Sequence, residues 1–333
     1  MLDLARLERL KLYRRPLSQR IVGRMLNVNY GWLPGIGLEL EHAERIPPDP
    51  VIYAMNHTDR YNYWPFQYAV WQQLDRFTAT WVKGKYYESR FIGRFMESMA
   101  QLPTVSRGYL ITRDFLAVMN RTPTDQEYAT LRAAVDAQAV GDKAELPDPP
   151  EIPEMLLRKA RNPFGVAYDP GESTWPEYIC ALFRAMMVRF VELNERAIAI
   201  GLDLLIFPQG TRSKRLLPGH IGISQIALHL KIPIVPVGCN GSDGVYPGAS
   251  PFARRGRIVY RVGEPISYDD LAAFHIDEPF APFSAVAERD YAAQFQGVAD
   301  RVTAGIDELL DAEYRLDAGG AAEVGEKGIH RFV

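Results

Sequence analysis

The 333 residues carry 47% hydrophobic and 24% charged side chains at a net charge of −3, enough apolar material for one large domain and no basic region for general nucleic-acid binding. Two cysteines, Cys180 and Cys239, provide no disulfide framework and point to a reducing compartment, and six scattered histidines lack metal-ligand spacing. The first residues lack the apolar core and cleavage site of a secretory signal, and no stretch approaches the ~18 apolar residues of a spanning helix, so a soluble or peripheral protein is expected.

Residues 1–34 read as a basic amphipathic segment. Arg6, Arg9, Lys11, Arg14, Arg15, Arg20 and Arg24 outnumber Asp3 and Glu8, while Leu7, Leu10, Leu17 and Ile21 recur at roughly helical spacing around Pro16. Two readings stand side by side: a helix laying leucines into a bilayer, or a surface helix packed on its own domain.

From residue 35 strands and helices alternate. Leu38 and Leu40 alternate with Glu39 and Glu41 as a half-exposed strand, and Pro47, Pro48 and Pro50 make a rigid turn into a strand at 51–55. A helix is expected from near Asp59 to Leu74, a strand at 77–82, a helix at 89–99 and a short strand at 102–105. Further strands follow at 202–207, 234–237 and 258–262. The pattern predicts an α/β domain over 35–316 with a central, mostly parallel sheet flanked by helices.

Residues 108–176 interrupt that rhythm. The run from Leu146 to Pro153 holds four prolines, and the region reads as an inserted subdomain of loops and short helices whose tyrosines and tryptophans face lipid. Trp175 reads equally as packing at the start of the next helix, whose stripe of Ile179, Leu182, Phe183, Met186, Phe190, Val191 and Ile198 is a core face. Residues 284–316 form another candidate amphipathic helix, and 317–333 a flexible tail.

The chemistry concentrates in two places. Asn56-His57-Thr58-Asp59-Arg60-Tyr61-Asn62 puts an imidazole just past an apolar strand, at the strand end where α/β proteins hold ligands. Asn56 is able to fix that turn through its side chain. A base needs a partner that holds its tautomer, and Asp59 and Asn62 are both within reach. Asp59 also reads as the cap of the following helix. Asp243 is a more distant source of a carboxylate. The second place is Phe207-Pro208-Gln209-Gly210-Thr211-Arg212-Ser213, a glycine turn with a hydroxyl and a guanidinium.

Taken together, these residues resemble the glycerolipid acyltransferase family, the lysophosphatidic acid and glycerol-3-phosphate acyltransferases. The family's Asn-His, four residues, Asp motif is matched at Asn56 and His57, with Asn62 where the Asp stands. Its Phe-Pro-Glu-Gly-Thr-Arg-Ser motif is matched from Phe207 to Ser213 except at Gln209. Lys85, Gly93 and Arg107 look like its second motif, and Ile232 to Val237 its fourth. Gly222 matches a family glycine that opens a helix, where a basic residue commonly precedes and His220 stands. The resemblance covers about 35–107 and 190–265.

It implies transfer of a fatty acyl group from an acyl-CoA or acyl carrier protein thioester to a hydroxyl of a glycerophosphate or lysophospholipid, with no further cofactor. His57 is then the general base. Lys85, Arg107 and Arg212 face the acceptor phosphate, Gln209 binds its glycerol hydroxyls or organises the turn, Gly210 allows close backbone approach, and Thr211 offers a hydroxyl or caps the turn. The implied setting is the cytoplasmic face of a membrane, with a lipid surface and a thioester donor as partners and no nucleic acid. Replacement of both family carboxylates by amides opens a second reading, a non-catalytic lipid- or acyl-binding member. A hydrolase lacks support, since Gly222-Ile223-Ser224-Gln225-Ile226 does not complete a Gly-x-Ser-x-Gly elbow.

Overall fold

The computed structural model describes residues 2–32, 35–142, 146 and 151–316, and among these seven strands form one sheet. They are β1 (Ile36–Glu41), β2 (Ile52–Met55), β3 (Thr78–Lys83), β4 (Gln101–Thr104), β5 (Asp203–Ile206), β6 (Ile234–Asn240) and β7 (Gly256–Val262). The first helices are α1 (Leu4–Arg9), α2 (Leu17–Asn27), α3 (Tyr63–Leu74), α4 (Arg90–Ser98), α5 (Arg107–Met119) and α6 (Asp125–Ala139). After them come α7 (Glu154–Arg158), α8 (Trp175–Ala199), α9 (Gly222–Leu230), α10 (Ser242–Val245), α11 (Ala285–Asp290) and α12 (Ala292–Asp307).

Strand order is β1-β7-β6-β2-β5-β3-β4. β6, β2, β5, β3 and β4 run parallel, β7 is antiparallel to β6, and β1 runs parallel to β7. The inner strands β2, β5 and β6 are buried along their whole length, which is why they read as unbroken apolar runs. Edge strand β1 is half-buried throughout, its Glu39 and Glu41 paired with Arg257 and Arg261 of β7. This topology brings the carboxyl ends of five parallel strands to one side, the side where open α/β sheets generally hold ligands.

Beneath the opposite ends a second polar anchor closes the sheet. Asp203, 1% exposed, takes the Arg76 guanidinium and the Val51 N–H, while Arg76 also reaches the carbonyls of Pro47 and Asp49. The proline turn before β2 is thereby tied to the sheet.

Three expectations change. The helix placed from Asp59 begins only at Tyr63, because Asp59 accepts a hydrogen bond from Tyr61 N–H at 2.8 Å and holds the chain in a turn. The 108–176 insertion is far more helical than its prolines suggest. α5 and α6 run 13 and 15 residues, Thr124 and Glu127 start α6 with a capping box, and Ile111, Phe115, Leu131, Val135, Leu156 and Phe164 enter the main core. Residues 147–150 of the proline run lie outside the described residues, as does the tail at 317–333. The helix expected at 284–316 is two helices broken at Tyr291, which lets Tyr291 and Phe295 both pack on Phe280.

Trp175 is 1% exposed and gives its indole N–H to Asp114 at 2.8 Å, so it is a packing residue and touches no lipid. Asp114 is completely buried and also receives Arg161 and the Tyr178 hydroxyl, so one carboxylate gathers α5, the segment before α8, and α8 itself.

The N-terminal segment divides at Pro16. Leu7 and Leu10 are buried in the core, and α1 inserts Arg6 between Glu97 and the Tyr87 carbonyl. α2 turns the other way. Gln19, Gly23 and Leu26 face inward, Gly23 so close to the Trp71 ring that a Cβ would sit 2.7 Å from it. Leu17, Ile21 and Met25, at i, i+4 and i+8, are 64%, 48% and 68% exposed, an apolar stripe pointing at solvent.

Candidate active site

His57 follows β2 and stands at the carboxyl edge of the sheet. Asn56 anchors it. Its side-chain oxygen accepts from Cys239 N–H at 2.7 Å and its amide donates to Cys239 carbonyl at 2.9 Å. The side chain thus extends the β2–β6 ladder by one step, a firmer hold than the turn the sequence implied. The imidazole lies flat on Phe207, ring centres 4.1 Å apart, and remains partly open to solvent.

The ring's hydrogen-bond partner is Asn62, whose Oδ1 is 3.0 Å from His57 Nδ1. Asn62 Nδ2 donates to Asn56 carbonyl at 2.9 Å, so its oxygen is the end left for the imidazole. Nδ1 therefore carries the proton and Nε2 is the free acceptor, the tautomer a base requires. The Tyr260 hydroxyl fixes Asn62 further through its carbonyl.

Asp59 does not reach the ring. Its carboxylate accepts from Tyr61 N–H and from the Thr58 hydroxyl at 2.9 Å, and burial raises its pKa above the ordinary value. It does not cap α3 either, since Asn62 precedes that helix. Asp243 accepts from the Tyr314 hydroxyl at 2.6 Å and is equally committed elsewhere.

The second turn meets the first directly. Ser213 N–H donates to the His57 carbonyl at 2.9 Å, so the histidine and the Arg212-bearing corner share one surface. Gly210 has φ +63, and a Cβ there would meet the His220 ring at 2.9 Å, so this corner needs glycine on two counts. Gln209, 2% exposed, donates from Nε2 to the Thr211 carbonyl at 2.9 Å and leaves Oε1 buried without a partner. Both amides thus give an N–H to a backbone carbonyl, where a carboxylate would set oxygen against oxygen.

Burial of the imidazole, with Arg212 and Lys83 nearby, lowers the His57 pKa to about 4, against a smaller upward pull from the Asn62 hydrogen bond. Lys83 ends β3 and was missed in the sequence, which drew attention to Lys85 two residues later in the following turn. Its signal was its place at a strand end, one strand-period beyond Trp81. Arg212 is exposed, and Thr211 and Lys85 are half-buried at the same edge. Arg107 opens α5 just past β4, but its guanidinium lies over the Phe183 ring and 3.7 Å from Glu288.

No family model matches the chain. Among curated proteins it is similar to a 1-acyl-sn-glycerol-3-phosphate acyltransferase of Cocos nucifera, 38% identical over 81 residues, which are 24% of this chain and 26% of that protein. It is also similar to 1-acyl-sn-glycerol-3-phosphate acyltransferase beta of Homo sapiens, 32% identical over 89 residues, 26% of this chain and 32% of that one. Over these segments the chain is similar to glycerolipid acyltransferases. It spans only about a quarter to a third of the length of these curated relatives. Among solved structures, the 1-acyl-sn-glycerophosphate (LPA) acyltransferase PlsC from Thermotoga maritima matches 86% of this chain and 78% of its own at 13% identity and TM-score 0.38, too low to bear on the site.

Proposed function

We propose that the chain is a peripheral O-acyltransferase that moves a fatty acyl group from an acyl-CoA or acyl carrier protein thioester to a hydroxyl of a glycerophosphate or lysophospholipid. The observation that carries this reading is an imidazole with Nδ1 held on Asn62 and Nε2 free, bonded through its own carbonyl to the Arg212 corner. Nε2 takes the acceptor's hydroxyl proton as that oxygen attacks the thioester carbonyl. Collapse of the tetrahedral intermediate expels the thiolate, which takes the proton back from the imidazolium. Arg212 and Lys83 hold the acceptor phosphate, with Gln209 and Thr211 lining the turn. The bound phosphate supplies the negative charge that Asn62 lacks and offsets the two cations that disfavour the imidazolium. Purified protein, incubated with acyl-CoA or acyl carrier protein thioesters and lysophosphatidate or glycerol 3-phosphate, should yield the acylated lipid by mass spectrometry. No product across such a panel, with binding retained, would establish the second reading, an acyl- or lipid-binding protein, which the neutral Asn62 and low His57 pKa favour.

The pH dependence follows from the same groups. In the free protein His57 is neutral down to about pH 4, so kcat/KM should stay flat through pH 6.5 and fall only near 4. The acid limb of kcat should lie higher, because bound phosphate makes the imidazolium easier to form. Asn62→Asp should raise the limb in kcat/KM by roughly a unit and lower the Tm, since its second oxygen opposes the Asn56 carbonyl. A limb at 6.5 in the unaltered protein would refute this account. Folding is linked in the same sense. The unfolded chain binds the His57 proton first, so this group's contribution to stability is lost as pH falls from 6.5 toward 4.

Docking to a lipid surface is part of the proposal. Among the described residues no helix is long and apolar enough to cross a membrane. Supporting the proposal, α2 presents Leu17, Ile21 and Met25 outward, Trp32 follows at 77% exposure, and no acidic residue occurs between Arg9 and Leu38. An apolar stripe flanked by arginines suits an anionic bilayer. Ile21→Glu with Met25→Glu should cut partition onto anionic vesicles at least about tenfold while sparing turnover on a short-chain soluble acceptor, read by vesicle co-sedimentation. Unchanged partition would remove the docking reading.

A further inference from the structure

Arg107 already has an anion beside it, and a loosely held one. Glu288 Oε2 stands 3.7 Å from the guanidinium, beyond hydrogen-bond reach, and Arg107 Nε is buried without a partner. The Arg107 side chain is 12% exposed and is otherwise stacked on Phe183, 4.7 Å from the ring centre. Such a guanidinium retains donors for a second oxyanion.

Glu288 comes from α11, outside every motif named above. Its other oxygen accepts from Gln225 Nε2 at 3.2 Å. The Gln225 oxygen in turn accepts from Phe283 N–H. Phe283 sits at φ +65, a conformation a phenylalanine adopts only under constraint. Its ring fits between Trp81 and Phe190, at 6.0 and 5.7 Å between centres. A chain of contacts therefore runs from Arg107 through Glu288 and Gln225 to a strained residue packed on Trp81, which belongs to the same strand as Lys83.

We infer that Glu288 is an internal stand-in for a phosphate monoester: such a ligand binding at Arg107 displaces the Glu288 carboxylate, frees Gln225 from it, and releases the 283–291 strap from Trp81. A phosphate dianion engages the guanidinium through two short bonds, which one carboxylate at 3.7 Å does not. Glu288 is 32% exposed, so solvent is at hand to receive it. β4 stands three strands from β2, about 14 Å at ordinary spacing, a span that admits an acceptor head group or the nucleotide phosphates of the donor. The inference rests on the proposed function only in supposing that one of these substrates carries a phosphate.

The test is a binding titration of the full chain with inorganic phosphate, glycerol 3-phosphate and free CoA, read by calorimetry and by Trp81 emission, with Trp81→Phe identifying that signal. Glu288→Gln, which keeps the link to Gln225, is expected to bind the favoured probe about tenfold tighter, and adding Arg107→Gln should abolish the gain. Preference for CoA places the donor at Arg107, and preference for glycerol 3-phosphate moves the acceptor phosphate there from Arg212. Glu288→Ala serves as a second variant, and thermal unfolding verifies that each is folded. The inference is overturned if Glu288→Gln binds no probe more tightly, if the gain survives loss of Arg107, or if binding leaves Trp81 emission unmoved. Because these readouts need no turnover, an inactive protein that shows the linked shift would refute acyl transfer and leave the strap intact, whereas an active one without the shift would do the reverse.

Discussion

Replacing His57 by alanine is expected to lower acyl transfer by about 10²–10⁴-fold in kcat, the range a positioned general base supplies, with little change in Tm. The ring's own contacts explain the second half. Its stacking on Phe207 and its single bond to Asn62 lie at the sheet edge, while the links that hold the turn use Asn56 side-chain atoms and the His57 carbonyl, which alanine keeps. KM for the acceptor should change little, because the phosphate contacts assigned to Arg212 and Lys83 remain. His57→Gln provides a control that fills the site without offering a base. Transfer at the unaltered rate in either variant, measured by product formation under saturating donor, would eliminate the proposed chemistry.

Asp114→Ala should have the largest effect on stability. It leaves the Arg161 guanidinium, 8% exposed, without its carboxylate, and strands the Trp175 indole N–H. Removing one partner of a buried ion pair costs about 3–5 kcal/mol, a large share of the roughly 5–15 kcal/mol that holds a domain together. For a chain of this size that corresponds to a fall in Tm on the order of 10 °C, measurable by circular dichroism. Asp114→Asn should lose less, since the amide oxygen still accepts from Trp175. A Tm within a degree or two of the unaltered protein would show that Arg161 finds solvent and that the insertion is not pinned there.

The fold was readable where burial imposes a period. The strands ending at Met55, Ile206 and Asn240 are apolar on both faces, and α8 displays its core stripe openly, so these elements were located within a few residues. The insertion misled because proline marks where a helix is absent and says nothing of the 28 helical residues in α5 and α6 that precede the proline run. Within the candidate site, His57 and Asn62 were read from the residues themselves and Gln209 and Arg212 from the family resemblance, while their hydrogen bonds were not legible. That Asn62 faces the ring and Asp59 does not depends on a turn two residues long. Lys83 and Glu288 were passed over because they come near His57 and Arg107 only in the folded chain. The outward stripe of α2 was one of two readings left open, since an amphipathic pattern does not say which face turns inward.

The pairing of β1 with β7 bears on how the polypeptide matures. Glu39 and Arg257, 218 residues apart, are bonded across that pair, and among the described residues β1 has no other neighbour in the sheet. During synthesis the emerging β1 therefore waits, its ladder groups open, until nearly the whole domain has left the ribosome. Assembly dominated by such distant partners is slow, and an unpaired edge invites association with other chains. Chains cut short before residue 256 are thus expected to aggregate even though the histidine corner and its arginine turn are already present.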